Sequence, residues 1–203
     1  DGDDESGLDH YLGPQWFTAV SWTQTQAVSN LSFSAPLSGS GTARWWLTNK
    51  IGTGTENSAT NLIASGTVTL PPFTGVFDYA ALNDYPYAGI FSGIDLPAGT
   101  YYVVLDGPTI GIQDLTGFWY GDTQNYTIQT APGFSSVRTF VSYSLTPVLG
   151  FVPAEPFEDI GAALAFFRLE GDLRQPDPVT EPATLALLGA GLMGLAALRR
   201  RKI

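Results

Sequence analysis

His10 is the only histidine of the chain and sits in an acidic, Gly-rich lead, so Ser-His-Asp catalysis would hang on this one residue. No Gly-x-Ser-x-Gly elbow offers it a nucleophile. Cysteine is absent, which removes disulfides, thiolate zinc sites, iron–sulfur clusters and cysteine nucleophiles. Carboxylate chemistry remains. Asp78, Asp84, Asp95, Asp106, Asp114 and Asp122 fall near expected turns, where Asp accepts local backbone hydrogen bonds. Two of them facing each other across a cleft would make a glycosidase or lyase, but nothing in the sequence selects a pair. Asp1-Gly2-Asp3-Asp4-Glu5, with Asp9, offers oxygen ligands to calcium, yet lacks the spacing of a calcium loop and reads as a solvated lead. Residues 189–194, GAGLMG, match G-x-G-x-x-G letter for letter. A dinucleotide site needs a strand before that motif and an acid some 20 residues after it, and neither is present. No cofactor and no metal site is expected.

Aromatic residues are the more informative side chains. They make up 13% of the chain and include the pairs Trp45-Trp46 and Tyr101-Tyr102 and the triplet Phe118-Trp119-Tyr120. Adjacent residues of a strand point to opposite faces, so if Trp45 joins Leu47 in the core, Trp46 faces the other way. An exposed ring is a platform for a sugar, and Trp46, Trp119 and the Tyr85-Pro86-Tyr87 loop are the candidate glycan-binding residues. Sandwich cores also consume Trp and Tyr, and core packing is the competing expectation for them.

The elements that must position these side chains read as short β-strands. Turn residues recur about every ten positions, with alternating or β-rich runs between them. Strands are expected over 28–37, 43–49, 62–70, 118–120, 126–130, 137–145 and 163–173, and residues 90–105 read as a hairpin about Pro97-Ala98-Gly99. No long amphipathic helix precedes residue 180. The expected fold is all-β, an antiparallel β-sandwich or jelly roll over 19–174. An acidic lead (1–18) precedes it, and a Pro-rich linker (175–180) and a C-terminal hydrophobic helix follow. A core of that size stands without disulfides.

Charge divides the chain in the same place. The 203 residues carry 19 acids and nine bases, a net charge of −10. Residues 1–180 hold 18 acids and five bases, giving −13, whereas residues 181–203 set Glu181 against Arg199, Arg200, Arg201 and Lys202, giving +3. An acid excess of that size argues against nucleic acid as a partner of the body. Ala183 to Leu198 is an uncharged apolar run of 16 residues. As a helix it spans about 24 Å, short of a bilayer core of about 30 Å, and snorkelling of the four cations after it covers the difference. Cations directly after an apolar run mark the cytoplasmic end of a membrane stop. Thr180 suits a helix N-cap, Glu181 the positive end of the helix dipole and Pro182 the first turn.

Val179-Thr180-Glu181-Pro182-Ala183-Thr184-Leu185-Ala186-Leu187-Leu188-Gly189, the Gly-interrupted apolar run after it and the basic end resemble the PEP-CTERM sorting signal in order and spacing. Thr180 stands where that family usually has the first Pro of its Pro-Glu-Pro triplet. The resemblance implies an exported bacterial protein, held at the inner membrane by the helix and processed near the motif by an exosortase. Thr180, Glu181 and Pro182 would then be recognised rather than reactive. It also implies a place at the cell surface or in a biofilm matrix, with exopolysaccharide as a candidate partner, and since the residues offer no catalytic set the role expected there is non-enzymatic. The body is similar, more weakly, to jelly-roll-like bodies often attached to this signal, through Ser21-Trp22-Thr23, Leu47-Thr48-Asn49, residues 96–102 (LPAGTYY) and Phe118-Trp119-Tyr120. Export needs an N-terminal secretion signal, and the chain opens at Asp1 without one, as expected where the signal has been removed or lies upstream.

Overall fold

Strand β2 (Trp16–Gln24) alternates apolar residues on both of its faces: Val20 and Trp22 point one way, Phe17 and Ala19 the other, and all four are buried. A strand of that composition belongs in the middle of a sheet covered on both sides. That is where the computed structural model puts it. The structure describes residues 10–12, 16–52, 62–72, 87–106, 117–122, 132–143, 157–160 and 164–174. The other strands, in chain order, are β1 (His10–Leu12), β3 (Val28–Gly39), β4 (Thr42–Thr48), β5 (Leu62–Thr69), β6 (Tyr87–Leu96) and β7 (Gly99–Asp106). They continue with β8 (Gly117–Trp119), β9 (Gly121–Asp122), β10 (Phe134–Tyr143), β11 (Glu158–Asp159), β12 (Leu164–Ala165) and β13 (Arg168–Leu173).

All pairings among the described residues are antiparallel. One sheet of six strands runs β11-β10-β2-β7-β4-β5. A second, of five, is built around β3, which pairs with β6, β13 and β8, while β1 lies beyond β8. The short strands β9 and β12 form a separate ribbon. The two larger sheets meet across one apolar cluster. Val20, Trp22, Ala43, Trp45, Leu47, Tyr101, Val103 and Leu105 face it from the six-stranded sheet, and Val28, Leu31, Phe33, Leu37, Phe91 and Trp119 from the other. Phe33 holds the centre, with ring centroids 6.2 Å from Trp22, 5.6 Å from Phe91, 5.1 Å from Phe167 and 6.2 Å, edge-on, from Trp119.

The all-β antiparallel expectation therefore holds for the described residues, none of which is helical. The strand expected over 126–130 and the C-terminal helix over Ala183 to Leu198 lie outside them. Among the described residues no helix is long and apolar enough to cross a membrane. By its contacts the chain divides into two units, residues 1–173 and 174–203, and every described strand belongs to the first.

The hairpin expected over 90–105 is a correction. β6 pairs with β3 in one sheet and β7 with β2 and β4 in the other, so the chain crosses between sheets at Pro97-Ala98. Pro-Ala-Gly lacks the Asn-Gly or Asp-Gly chemistry of a tight two-residue hairpin, and both strands carry residues that reach the core only from opposite sheets. The corner is braced from below. Gln24 donates through Nε2 to the carbonyls of Leu96 (3.1 Å) and Pro97 (2.9 Å), and the Tyr101 hydroxyl donates to Pro97 O at 2.8 Å. A second crossing, β3 to β4, passes through Gly41 at φ 83°, where a side chain would be strained.

Gly66 on β5 is set by packing instead. A Cβ there would sit 2.9 Å from the Trp45 indole, so the ring lies flat against β5 only because this residue has no side chain. Gly66→Val is expected to cost about 1–3 kcal/mol, while Ser65→Ala beside it stays within about 0.5 kcal/mol, as read by urea denaturation.

Candidate functional site

The alternation of β4 places Ala43, Trp45 and Leu47 in the main core and turns Arg44 and Trp46 to the outer face of the six-stranded sheet. On that face a second apolar cluster forms from Phe17, Ala19, Trp46 and Val104, with Ile51, Leu62, Phe140 and Phe157 packed against it. The Phe17 and Trp46 rings lie 6.4 Å apart, and Tyr102 meets Phe140 edge-on at 5.8 Å. Trp46 is consequently only 7% exposed.

Beside this cluster β4 and β7 set Arg44 directly opposite Asp106. The guanidinium grips the carboxylate as a fork: Nε donates to Oδ1 at 3.0 Å, and Nη2 donates to Oδ2. The Arg44 guanidinium carbon also lies 5.3 Å from the centre of the Trp46 ring, a cation–π distance. The Asp106 side chain is fully buried, that of Arg44 only partly. Burial pushes the Asp106 carboxyl up to about 7 against the opposing pull of Arg44, so it holds a proton into the neutral range.

A carboxyl that titrates near neutrality has the proton affinity of a general acid, but a glycosidase requires a second carboxylate across a cleft. Three other described carboxylates are bound into structural contacts. Asp159 pairs with Arg138, and Asn30 bridges two others, its backbone N–H donating to Asp95 Oδ1 (3.1 Å) and its Nδ2 to Asp172 Oδ2 (2.9 Å). Among the described residues no group of three His, Asp or Glu side chains is placed to hold a metal ion. Arg44 and Asp106 thus clamp two central strands beside the apolar cluster of that face. Their signal in the sequence is that each is the lone charge of an uncharged strand.

The four rings expected as glycan platforms separate. Trp119 is fully buried, its Nε1–H donating to Phe166 O at 2.7 Å, and Trp46 lies under the cluster just described. Neither offers a face to solvent, which corrects the expectation for both: Trp119 packs in the core between the two sheets, and Trp46 is covered on the outer face by side chains from distant strands. Tyr87 is half-buried, with the Arg168 guanidinium 4.7 Å from its ring centre. Burial raises its hydroxyl and the charge of Arg168 acts the other way. Tyr85 lies outside the described residues, as do Thr180, Glu181, Pro182, the run Ala183 to Leu198 and the cations Arg199 to Lys202.

Comparison with known families decides the character of that end. Residues 178–202 match the PEP-CTERM protein-sorting motif. The chain carries an exosortase sorting signal. The PEP-CTERM match includes Thr180, Glu181, Pro182, the whole apolar run and the basic residues, and it makes this an exported protein that is processed at a membrane with an exosortase as partner. It does not extend into the β-stranded body. No curated protein matches the chain.

Proposed function

We propose that the chain is a non-enzymatic component of the bacterial cell surface or extracellular matrix, delivered through its PEP-CTERM signal and associated there with exopolysaccharide. The observation that carries the proposal is the sorting motif at residues 178–202. The body adds support: four of its described carboxylates, Asp95, Asp106, Asp159 and Asp172, serve structural contacts. In this account Ala183 to Leu198 crosses the inner membrane as a short helix, with Arg199 to Lys202 on the cytoplasmic side. Cleavage near Glu181 removes a +3 end and releases a body of −13. Mutual repulsion at that charge keeps such bodies soluble in a crowded matrix.

Fractionation of the producing cells tests the proposal. The processed chain is expected in the matrix fraction, and the purified product is expected to leave the producer's exopolysaccharide at its original chain length. Retention of the full-length chain in the inner membrane of exosortase-bearing cells would overturn the delivery half. Shortening of the polysaccharide by the purified product would overturn the non-enzymatic half. A glycan-binding module is the alternative, and it now rests on Tyr85 and the half-buried Tyr87. It requires retardation of the protein in an exopolysaccharide gel that Tyr87→Ala abolishes.

A further inference from the structure

Strand β5 ends the six-stranded sheet, and among the described residues its outer edge pairs with no strand. One hydrogen bond just past the strand fixes which groups face that edge. Leu70 donates its N–H to Gly41 O at 3.0 Å, so Gly41 and Leu70, next to the register partners Thr42 and Thr69, form a hydrogen-bonded pair. Bonded and non-bonded pairs alternate along an antiparallel ladder. Val68, Gly66 and Ala64 therefore turn their N–H and C=O groups toward β4, while Thr69, Thr67 and Ser65 turn theirs outward. The side chains of these last three are exposed, as is Ile63 at 40%.

Free edges of this kind template pairing with another chain, and folded proteins blunt them with charges, bulges, proline or brevity. The other described edges are blunted. β11, at the far side of the same sheet, is two residues long and both are acidic. β13 carries Glu170 and Asp172. β6 carries Asp95, has Gly93 at φ 74° and shifts register three times against β3. β1 has three residues. β5 has none of these devices over 64–69: its sequence, LIASGTVT, is uncharged and free of proline, and its one register shift lies at Ile63.

We propose that β5 is a homodimerisation edge, pairing antiparallel with β5 of a second copy about a two-fold axis through Thr67. The three residues with outward backbone groups are centred there. The axis sets Thr67 opposite Thr67 and Ser65 opposite Thr69 of the second copy as hydrogen-bonded pairs, matching hydroxyl and β-branched side chains on one face. On the other face Gly66 lies opposite the second copy's Val68. A second copy suits this edge because a body of −13 can approach itself only where it is uncharged, and 61–71 carry no charge. The contact is isologous, so it closes on itself and yields a dimer with one continuous sheet rather than a fibre. The inference is independent of where the protein is delivered.

Amide hydrogen exchange on the full chain in detergent, across a dilution series checked by sedimentation, tests it. The expected result is a concentration-dependent dimer in which exchange at Ser65, Thr67 and Thr69 slows by about tenfold or more, while Ala64, Gly66 and Val68, already bonded to β4, are slow at every concentration. Ser65→Lys combined with Thr69→Lys sets lysines opposite lysines and is expected to abolish the dimer with an unchanged monomer melting curve. Thr67→Pro, a change tolerated on an edge whose N–H faces solvent, should do the same. A chain monomeric at every concentration overturns the proposal. So does a dimer in which Ser65, Thr67 and Thr69 still exchange fast, as association through the apolar C-terminal run would give, and so does growth into fibres.

Discussion

Arg44→Ala is expected to destabilise the body by about 3–5 kcal/mol at pH 8, the usual cost of leaving a buried charge without its partner. At pH 5 the same change is expected to cost about 1–3 kcal/mol, that of orphaned hydrogen bonds alone. The difference follows from Asp106. Its carboxyl ordinarily titrates at 3.8, and in the folded chain burial carries it to about 7 although Arg44 pulls the other way. Between those values the folded state holds a proton that the unfolded state has released. Asp106 therefore contributes a stability that is greatest below about pH 4 and is lost as pH rises to about 7, opposite in sign to an ordinary salt-bridged carboxylate. Arg44 is the one residue that lowers this carboxyl, so at pH 8 the variant must either bury a lone charge or hold a proton that the intact protein has released, and either costs it more than at pH 5. Urea denaturation at the two pH values measures both numbers, and Asp106→Asn should flatten the pH dependence over that window. Equal losses at pH 5 and pH 8 would mean that Asp106 is ionised throughout.

Trp22→Ala carries the other large expected effect, a loss of about 3–5 kcal/mol. The Trp22 side chain is 1% exposed, and its ring lies 6.2 Å from Phe33 and 5.7 Å from Tyr101, so truncation opens a cavity where the two sheets meet. The indole also has a polar duty. Its Nε1–H donates to Gln24 Oε1 at 3.0 Å, and the amide of Gln24 in turn holds the carbonyls of Leu96 and Pro97 at the corner between sheets. Trp22→Phe separates the two roles: it keeps most of the apolar volume and orphans a buried acceptor, an expected loss of about 1–3 kcal/mol. In that variant the amides after Pro97 should exchange faster than those of β4. If Trp22→Phe proves as costly as Trp22→Ala, the hydrogen bond rather than the packing dominates. With no cysteine in the chain, contacts of this kind hold the exported body together without disulfides.

Local sequence pattern alone makes part of this visible. The alternation in ARWWLTN separates Trp45 and Leu47 from Trp46, and the structure puts the first two in the main core and the third on the opposite face. The parity was legible because it depends on adjacent residues alone. The fate of Trp46 was not, because its cover comes from Phe140 and Phe157, some hundred residues later and without any spacing that announces them. The clamp of Arg44 and Asp106 joins residues 62 apart, and strand order, which brings them side by side, is not written in either strand. The two-residue connection at Pro97-Ala98 looks the same whether its strands pair or part, so the crossing between sheets emerges only from the partners that β6 and β7 find elsewhere. The sorting signal is legible for the opposite reason. An exosortase reads it as a linear string, so order and spacing carry its meaning without a fold.

The intact mass of the chain, expressed with a secretion signal in matched bacterial strains with and without an exosortase, tests the central claim most directly. With the enzyme, the account predicts a product cut near Glu181-Pro182, lacking the apolar run and Arg199 to Lys202; without it, the full chain held in the membrane fraction. A full-length chain of identical mass in both strains would contradict it.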